Sequence, residues 1–124
     1  MEKLYETVES FNYDDLIYDT KMPITTKGIT LKTGQGILVR GTVLGIETAT
    51  GQAVAVNSAA TDGSETADCI LTDDIDTSGA TPVVYTGYAS GRFNRKALVF
   101  GGTDTAVNHE KQLRELGIYL KDKM

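Results

Sequence analysis

The stretch GQGILVRGTVLGIE, residues 34–47, decides the fold class of this chain. Its aliphatic and β-branched residues are typical of an extended chain. Gly41 and Gly45 interrupt the alternation of apolar and polar residues, and such glycines indicate β-bulges or a close approach of another backbone. The stretch therefore predicts a long extended run with two local irregularities.

Further strands are predicted on both sides of this run. Residues 29–33 alternate apolar and polar side chains, which is the period of a half-buried strand. The polar segment 57–66 contains Asp62-Gly63, a strong turn signal. Short apolar or β-branched stretches that predict the remaining strands lie at 54–56, 69–71, 81–89, 97–100 and 118–120.

One helix is predicted, over about 104–116. Apolar residues and one histidine recur there at helical spacing, namely Ala106, His109, Leu113 and Leu116. Thr103, Asp104 or Thr105 is suited to cap its start, and Gly117 is suited to end it. Many short strands with one terminal helix favour a mainly β (α+β) fold, a small β-barrel or sandwich.

The chain divides by composition at about residue 27. All 13 glycines lie at or after position 28, whereas residues 1–27 hold four of the nine aromatic residues and carry a net charge of −3 out of a total of −5. A Thr/Gly/Pro connector follows Pro23. We therefore expect an N-terminal arm over 1–27 and a single β-rich domain over 28–124, in keeping with the 124-residue length.

The arm carries apolar side chains that need a surface to bury them. Its candidate anchors for a partner are Phe11, Tyr13, Leu16, Ile17 and Tyr18. The alternative is that these side chains cover the core of their own body or of a neighbouring subunit.

Composition argues against several classes of function. A net charge of −5 and a pI of about 4.7 do not suit nucleic-acid binding. No run approaches the ~20 apolar residues of a membrane span, and the acidic start lacks the pattern of a signal peptide. The single cysteine excludes an internal disulfide and a multi-cysteine zinc site.

Motifs for chemistry are incomplete. His109-Glu110 begins an HExxH zinc motif, but position 113 is Leu, so we expect a helix histidine half-buried against the core. The segment 74–79 copies the first half of a calcium loop, but Tyr85 stands where the bidentate glutamate belongs, which favours a plain acidic turn. Gly34-Gln35-Gly36 is a weak match to a phosphate loop, since an extended run follows it.

Two other groups of residues carry side chains suited to chemistry or to nucleic-acid binding. Cys69 and His109 would form a nucleophile–base pair only if the fold brought them together, and Cys69 stands in an apolar strand where cysteine is usually inert. Arg92, Arg95 and Lys96 form a basic cluster too small to attract nucleic acid to an acidic body. The residues alone thus favour a protein without catalytic function.

Four segments together resemble one known family. GQGILVRGTVLGIE, SAATDGSETADCILTDDID, VVYTGYASGRFNRKALVFGG and HEKQLRELGIYLK occur in the order found in tailed-phage and prophage head decoration proteins of the lambda protein D type. Upstream, the segment 13–17 is similar to a Y-D-N-L-I element of prophage members. The resemblance covers roughly residues 12–121.

The resemblance implies a β-tulip-like body and a structural role without catalysis, cofactor or metal. It implies homotrimers on the outside of the expanded head at three-fold sites, where they stabilise the lattice of the major capsid protein. The location would be the virion exterior, after synthesis in the bacterial cytoplasm, with no nucleic acid or membrane as partner. Unlike the Ser/Thr/Pro/Gly-rich lambda arm, residues 1–27 here are aromatic and acidic.

A second hypothesis comes from a different class of protein. It is a small β-barrel enzyme or ligand-binding module that uses Cys69, His109 and the acids at 73–76. It requires these groups to converge in one pocket, which distinguishes it from the decoration protein.

Overall fold

A computed structural model of the chain describes residues 16–19 and 23–121. Nine strands lie in this part: β1 Ile17–Asp19, β2 Thr25–Leu31, β3 Ile37–Leu38, β4 Val43–Ile46, β5 Ala53–Ala55, β6 Ala67–Leu71, β7 Ile75–Asp76, β8 Val83–Asn94 and β9 Ile118–Lys121. A 3₁₀ turn spans Arg95–Ala97, and one α-helix, α1, spans Ala106–Leu116.

Five of the strands close into a small barrel in the order β8-β2-β5-β4-β6, and β6 returns to pair with β8. The β2–β5 contact is parallel and the other four are antiparallel. Closure leaves these strands without free edges. The prediction of a mainly β, barrel-like body with one C-terminal helix is confirmed.

Strand β8 is longer than the barrel needs, and its second half forms another sheet. There it pairs antiparallel with β1 and parallel with β9. Helix α1 connects the neighbourhood of β8 to β9 and contacts both β9 and β6. The structure therefore adds one parallel crossover to the barrel, which strand patterning alone did not indicate.

Two apolar cores lie on opposite sides of the barrel wall, one inside the barrel and one outside it. The barrel interior holds Ile29, Leu31, Leu38, Leu44, Ala53, Cys69 and Leu71. The second core lies under α1 and holds, among others, Leu16, Ile70, Phe93, Leu113 and Ile118. Adjacent residues of β6 alternate between the two, because successive strand side chains point to opposite faces. The wall of the barrel is thus buried on both sides here.

The two glycines that interrupt residues 34–47 divide this run into β3 and β4. Gly41 has a φ of +97°, a conformation that favours glycine, and it makes the turn between the strands. A Cβ on Gly45 would lie 2.2 Å from the carbonyl oxygen of Ser64, and the β4–β6 register shifts at this residue. The predicted irregularities are confirmed, and the Gly41 turn ends the single extended run.

The prediction of a strand over 97–100 is wrong. Asn94 ends β8 because its side-chain Oδ1 accepts a hydrogen bond from the Lys96 backbone N–H, which starts the 3₁₀ turn. Only Val99 then pairs with another strand segment, through an isolated bridge to Thr42.

The predicted helix and final strand are confirmed with small changes. Helix α1 begins at Ala106 after the cap residue Thr105, whose N–H donates to Oδ1 of Asn108 at 2.7 Å. It starts later than expected because the Asp104 carboxylate turns to Ser58 instead. Gly117 ends the helix with a φ of +93°.

Candidate functional site

The segment Leu16–Asp19 is where the predicted arm meets the body. Ile17 lies opposite Phe93 and Asp19 opposite Arg92, with a register shift between the two pairs. The Asn94 N–H donates to the carbonyl oxygen of Leu16 at 2.7 Å, and Arg92 forms an ion pair with Asp19 at 3.3 Å. This segment is therefore attached to its own chain by backbone and side-chain bonds.

The candidate anchors differ in where they lie. Leu16 is 1% exposed and belongs to the core under α1. It therefore covers the core of its own body, which is the alternative to binding a partner. Ile17 is half-buried against the same core, whereas Tyr18 is 36% exposed. Phe11 and Tyr13 lie outside the described residues. Within the described segment, Tyr18 thus offers the most surface to a partner.

The start of β2 also lies on the body side of the predicted boundary. Thr25, Thr26 and Lys27 all pair with residues of β8, and Ile24 packs against the core under α1. Residues 24–27 therefore pack on the body, although the composition break places them on the arm side.

Cys69 is held in the barrel interior. Burial, with a smaller contribution from neighbouring Asp68, raises the pKa of its thiol to about 12. At neutral pH it is a thiol and not a thiolate, and a thiol is a poor nucleophile.

His109 lies in the other core, on α1. Its Nε2 is 2.6 Å from Oδ2 of Asp104 and its Nδ1 is 2.8 Å from Oε1 of Gln112. The ring is 1% exposed, so the half-buried position expected from the sequence is in fact a fully buried one. Cys69 does not bond to either of these partners, since it belongs to the barrel interior.

The acidic turn at 73–76 uses its carboxylates for local bonds. Asp74 accepts from the Arg40 N–H at 2.8 Å, and Asp76 accepts from both the N–H and the hydroxyl of Ser78. Asp73 accepts from the hydroxyl of Tyr85 at 3.2 Å. Among the described residues, no group of three or more His, Cys, Asp or Glu side chains is placed to hold a metal ion.

The basic cluster is largely neutralised. Arg92 pairs with Asp19, and Arg95 pairs with Glu110 at 2.5 Å while also donating to the carbonyl oxygen of Leu120. These arginines tie β1, α1 and β9 to the end of β8. Their role in the fold is to join elements.

Sequence reasoning did not identify the aliphatic side chains that point outward. Ile37, Val84 and Val107 are largely exposed, Val84 to 74% and Val107 to 88%. The only available signal for Val84 was its place beside Val83 in β8, since neighbours in a strand face opposite sides. Such residues are available for contacts with other chains.

Comparison with known proteins identifies the family. The family model described as "Bacteriophage lambda head decoration protein D" matches residues 6–118. The chain belongs to this head decoration protein family. The match begins before Leu16 and includes the barrel, α1 and the first residue of β9. A search of curated proteins gave no match.

Family membership implies a location in the phage virion and association with its capsid. This family is one of structural capsid proteins and not of enzymes. The enzyme hypothesis needed Cys69, His109 and the acids at 73–76 in one pocket. In the described structure Cys69 lies in the barrel interior, whereas His109 bonds to Asp104 and Gln112 and the acids at 73–76 bond to other neighbours. In the part of the chain that the structure describes, no helix has the length and apolar character needed to cross a membrane.

Proposed function

We propose that this head decoration protein binds as a homotrimer to the outside of the expanded phage head at three-fold sites and stabilises the major capsid protein lattice there. The family match over residues 6–118 is the observation that carries this proposal. The protein would be made in the host bacterial cytoplasm and would act without enzymatic activity, nucleic acid or membrane.

The attachment of Leu16 to the body supports a role for the residues before it. Leu16 and the β1–β8 pairing fix the point on the body to which the preceding residues are joined. They carry Phe11 and Tyr13, which are apolar anchors suited to a capsid surface. We therefore assign capsid contact to Phe11, Tyr13 and the exposed Tyr18. Leu16, with Ile17 beside it, attaches the segment to the body.

Trimer formation would strengthen such a contact. Three copies of a weak contact on one particle bind in succession, and the second and third bind at a high effective concentration. A stably folded body is needed for this effect, because it fixes the distances between the three segments. The closed barrel provides such a body.

Binding to heads tests the proposal. Full-length protein should sediment as a trimer and bind saturably to expanded heads that lack decoration protein. Deletion of residues 1–15 should remove most of this binding while the circular dichroism of the body is retained. Deletion of residues 1–5, which keeps Phe11 and Tyr13, is the control truncation and should bind much more tightly than the longer deletion.

Two outcomes would contradict parts of the proposal. Equal binding of full-length protein and the 1–15 deletion would refute the role of this segment without affecting family membership. A strict monomer at high micromolar concentration, both free and on heads, would refute the trimer.

A further inference from the structure

His109 is the only histidine of the chain, and its ring is enclosed between polar groups. The ring is buried, yet each nitrogen lies within hydrogen-bond distance of an oxygen, at 2.6 Å for Nε2 and 2.8 Å for Nδ1. A neutral imidazole has one donor nitrogen and one acceptor nitrogen, whereas an imidazolium has two donors. The nature of the two oxygens therefore determines the charge of the ring.

The oxygen that faces Nδ1 is fixed by a backbone group. The Ala67 N–H donates to Oε1 of Gln112 at 2.9 Å. If the amide of Gln112 were turned over, its NH₂ group would face this N–H, and two donors would be placed together. The group beside Nδ1 is therefore a carbonyl oxygen, so Nδ1 must donate.

The oxygen that faces Nε2 belongs to a carboxylate. Ser58 donates its N–H to Oδ2 of Asp104 at 2.6 Å and its hydroxyl to Oδ1 at 2.7 Å. The hydrogen bond from His109, together with those from Ser58, lowers the pKa of Asp104, so this group is ionised at neutral pH. An ionised carboxylate only accepts, so Nε2 must also donate.

We propose that His109 is a buried imidazolium in the folded protein. Its second ring proton completes a hydrogen-bonded cluster, called the clasp here, which consists of Ser58, Ala67, Asp104, His109 and Gln112. The clasp joins three parts of the body: the turn after β5, the first residue of β6, and helix α1 with the residue before its cap. This inference does not depend on the proposed function.

The surroundings of the ring favour a charge at this place. Asp104 supplies the opposite charge, and the Phe100 ring stacks on the imidazole with 5.7 Å between centroids. The neighbouring Glu110 is turned to Arg95 and Arg114. Asp104 is thus the charged group that the described contacts place against the ring. The neutral Gln112 bonds to the ring, and the neutral Ser58 bonds to Asp104.

Removal of the second proton opens the clasp. A neutral ring would place a nitrogen lone pair against either the carboxylate of Asp104 or the carbonyl oxygen of Gln112, inside a buried site. One hydrogen bond is then lost and replaced by repulsion. Loss of this proton therefore loosens the attachment of α1 to β6 and to the 57–60 turn.

Nitrogen-15 NMR of the full-length protein tests this directly, because a single histidine gives a single pair of ring signals. At about pH 7.5 an ordinary histidine with a pKa near 6.5 is about nine-tenths neutral. We expect His109 to show two protonated ring nitrogens at this pH.

Substitution of the carboxylate provides the second arm of the test. Asp104→Asn removes the negative charge at nearly constant size, and the ring should then be neutral at about pH 7.5. Glu115→Gln removes an exposed charge from the same helix and should leave both ring nitrogens protonated. If the folded, unmodified protein shows one bare ring nitrogen at about pH 7.5, the proposal is refuted. This result does not require Asp104→Asn to fold.

Discussion

Cys69 lies in the barrel interior beside Gly87, where a Cβ on the glycine would approach the sulfur to 2.8 Å. The site is thus filled to the point that the opposite residue has no room for a side chain. Burial disfavours the thiolate, so the pKa of the thiol is about 12 in the folded protein and returns to about 9 on unfolding. The difference makes this residue a source of pH-dependent stability.

Cys69→Ala should reduce the loss of stability at alkaline pH. Above about pH 9 the unfolded chain releases the thiol proton while the folded chain keeps it, so the free energy of unfolding falls as the pH rises towards 12. The thiol contributes a slope of at most about 1.4 kcal/mol per pH unit. Urea titrations of both proteins between pH 8 and about 11, under reducing conditions, measure the difference. Parallel curves for the two proteins would show that the thiol titrates normally.

Gly45→Ala should destabilise the protein far more than Gly28→Ala. Both glycines lie in barrel strands, but a Cβ at position 45 would overlap the Ser64 backbone, whereas one at position 28 meets nothing within 4 Å. Forced overpacking costs about 1–3 kcal/mol or more, and an open strand position costs almost nothing. Thermal unfolding of the two variants compares them, and equal melting temperatures would disprove the close approach.

Helix α1 is an element with one buried stripe and one exposed face. Ala106, His109 and Leu113 are buried, and Leu116, one turn further towards its end, is exposed. Capping at Thr105 and the left-handed Gly117 define its ends. Since a helix of this length is marginal alone, its stability depends on packing against β6 and β9.

Leu113→Ala should cost about 2–5 kcal/mol, because it leaves a cavity in the core under α1. Leu116→Ala makes the same chemical change on the same helix at a position that is 45% exposed, and its cost should be below about 1 kcal/mol. Denaturant unfolding of both variants gives the comparison. A cost for Leu116→Ala as large as that of Leu113→Ala would mean that position 116 is covered, for example by another subunit.

At the scale of the whole molecule, Leu16 is part of the body. This residue closes the core under α1, and β1 covers one edge of β8. We therefore propose that the capsid-binding arm ends before Leu16, whereas the composition break lies at about residue 27.

Two truncations should separate the arm from the body. Deletion of residues 1–15 should leave the melting temperature close to that of the full chain, since Leu16 and β1 remain. Deletion of residues 1–20 also removes the buried Leu16. It should lower the free energy of unfolding by about 2–5 kcal/mol or more, which is the usual effect of losing a core leucine. Differential scanning calorimetry measures both, and identical melting temperatures would show that β1 contributes nothing to the body.

Much of this architecture was predictable from local pattern. The helix, its Gly117 end and the strands around Ile29, Ile70 and Val84 follow from periodicity and turn chemistry, and family resemblance gave the role of the protein. The barrel order, the parallel β8–β9 contact and the burial of Leu16 depend on pairing between distant residues, which periodicity does not encode. The strand expected at 97–100 does not form, because the Asn94 side chain accepts a hydrogen bond from the Lys96 backbone N–H and starts a 3₁₀ turn.

The place of β8 in the chain has a consequence for synthesis on the ribosome. This strand closes the barrel by pairing with β2 and β6, and it spans Val83–Asn94. Until it has left the ribosomal exit tunnel, β2 and β6 each keep an edge open to other nascent chains. Synthesis must therefore continue well past Asn94 before the product is protected from aggregation, and a chain terminated before residue 83 should accumulate as insoluble material.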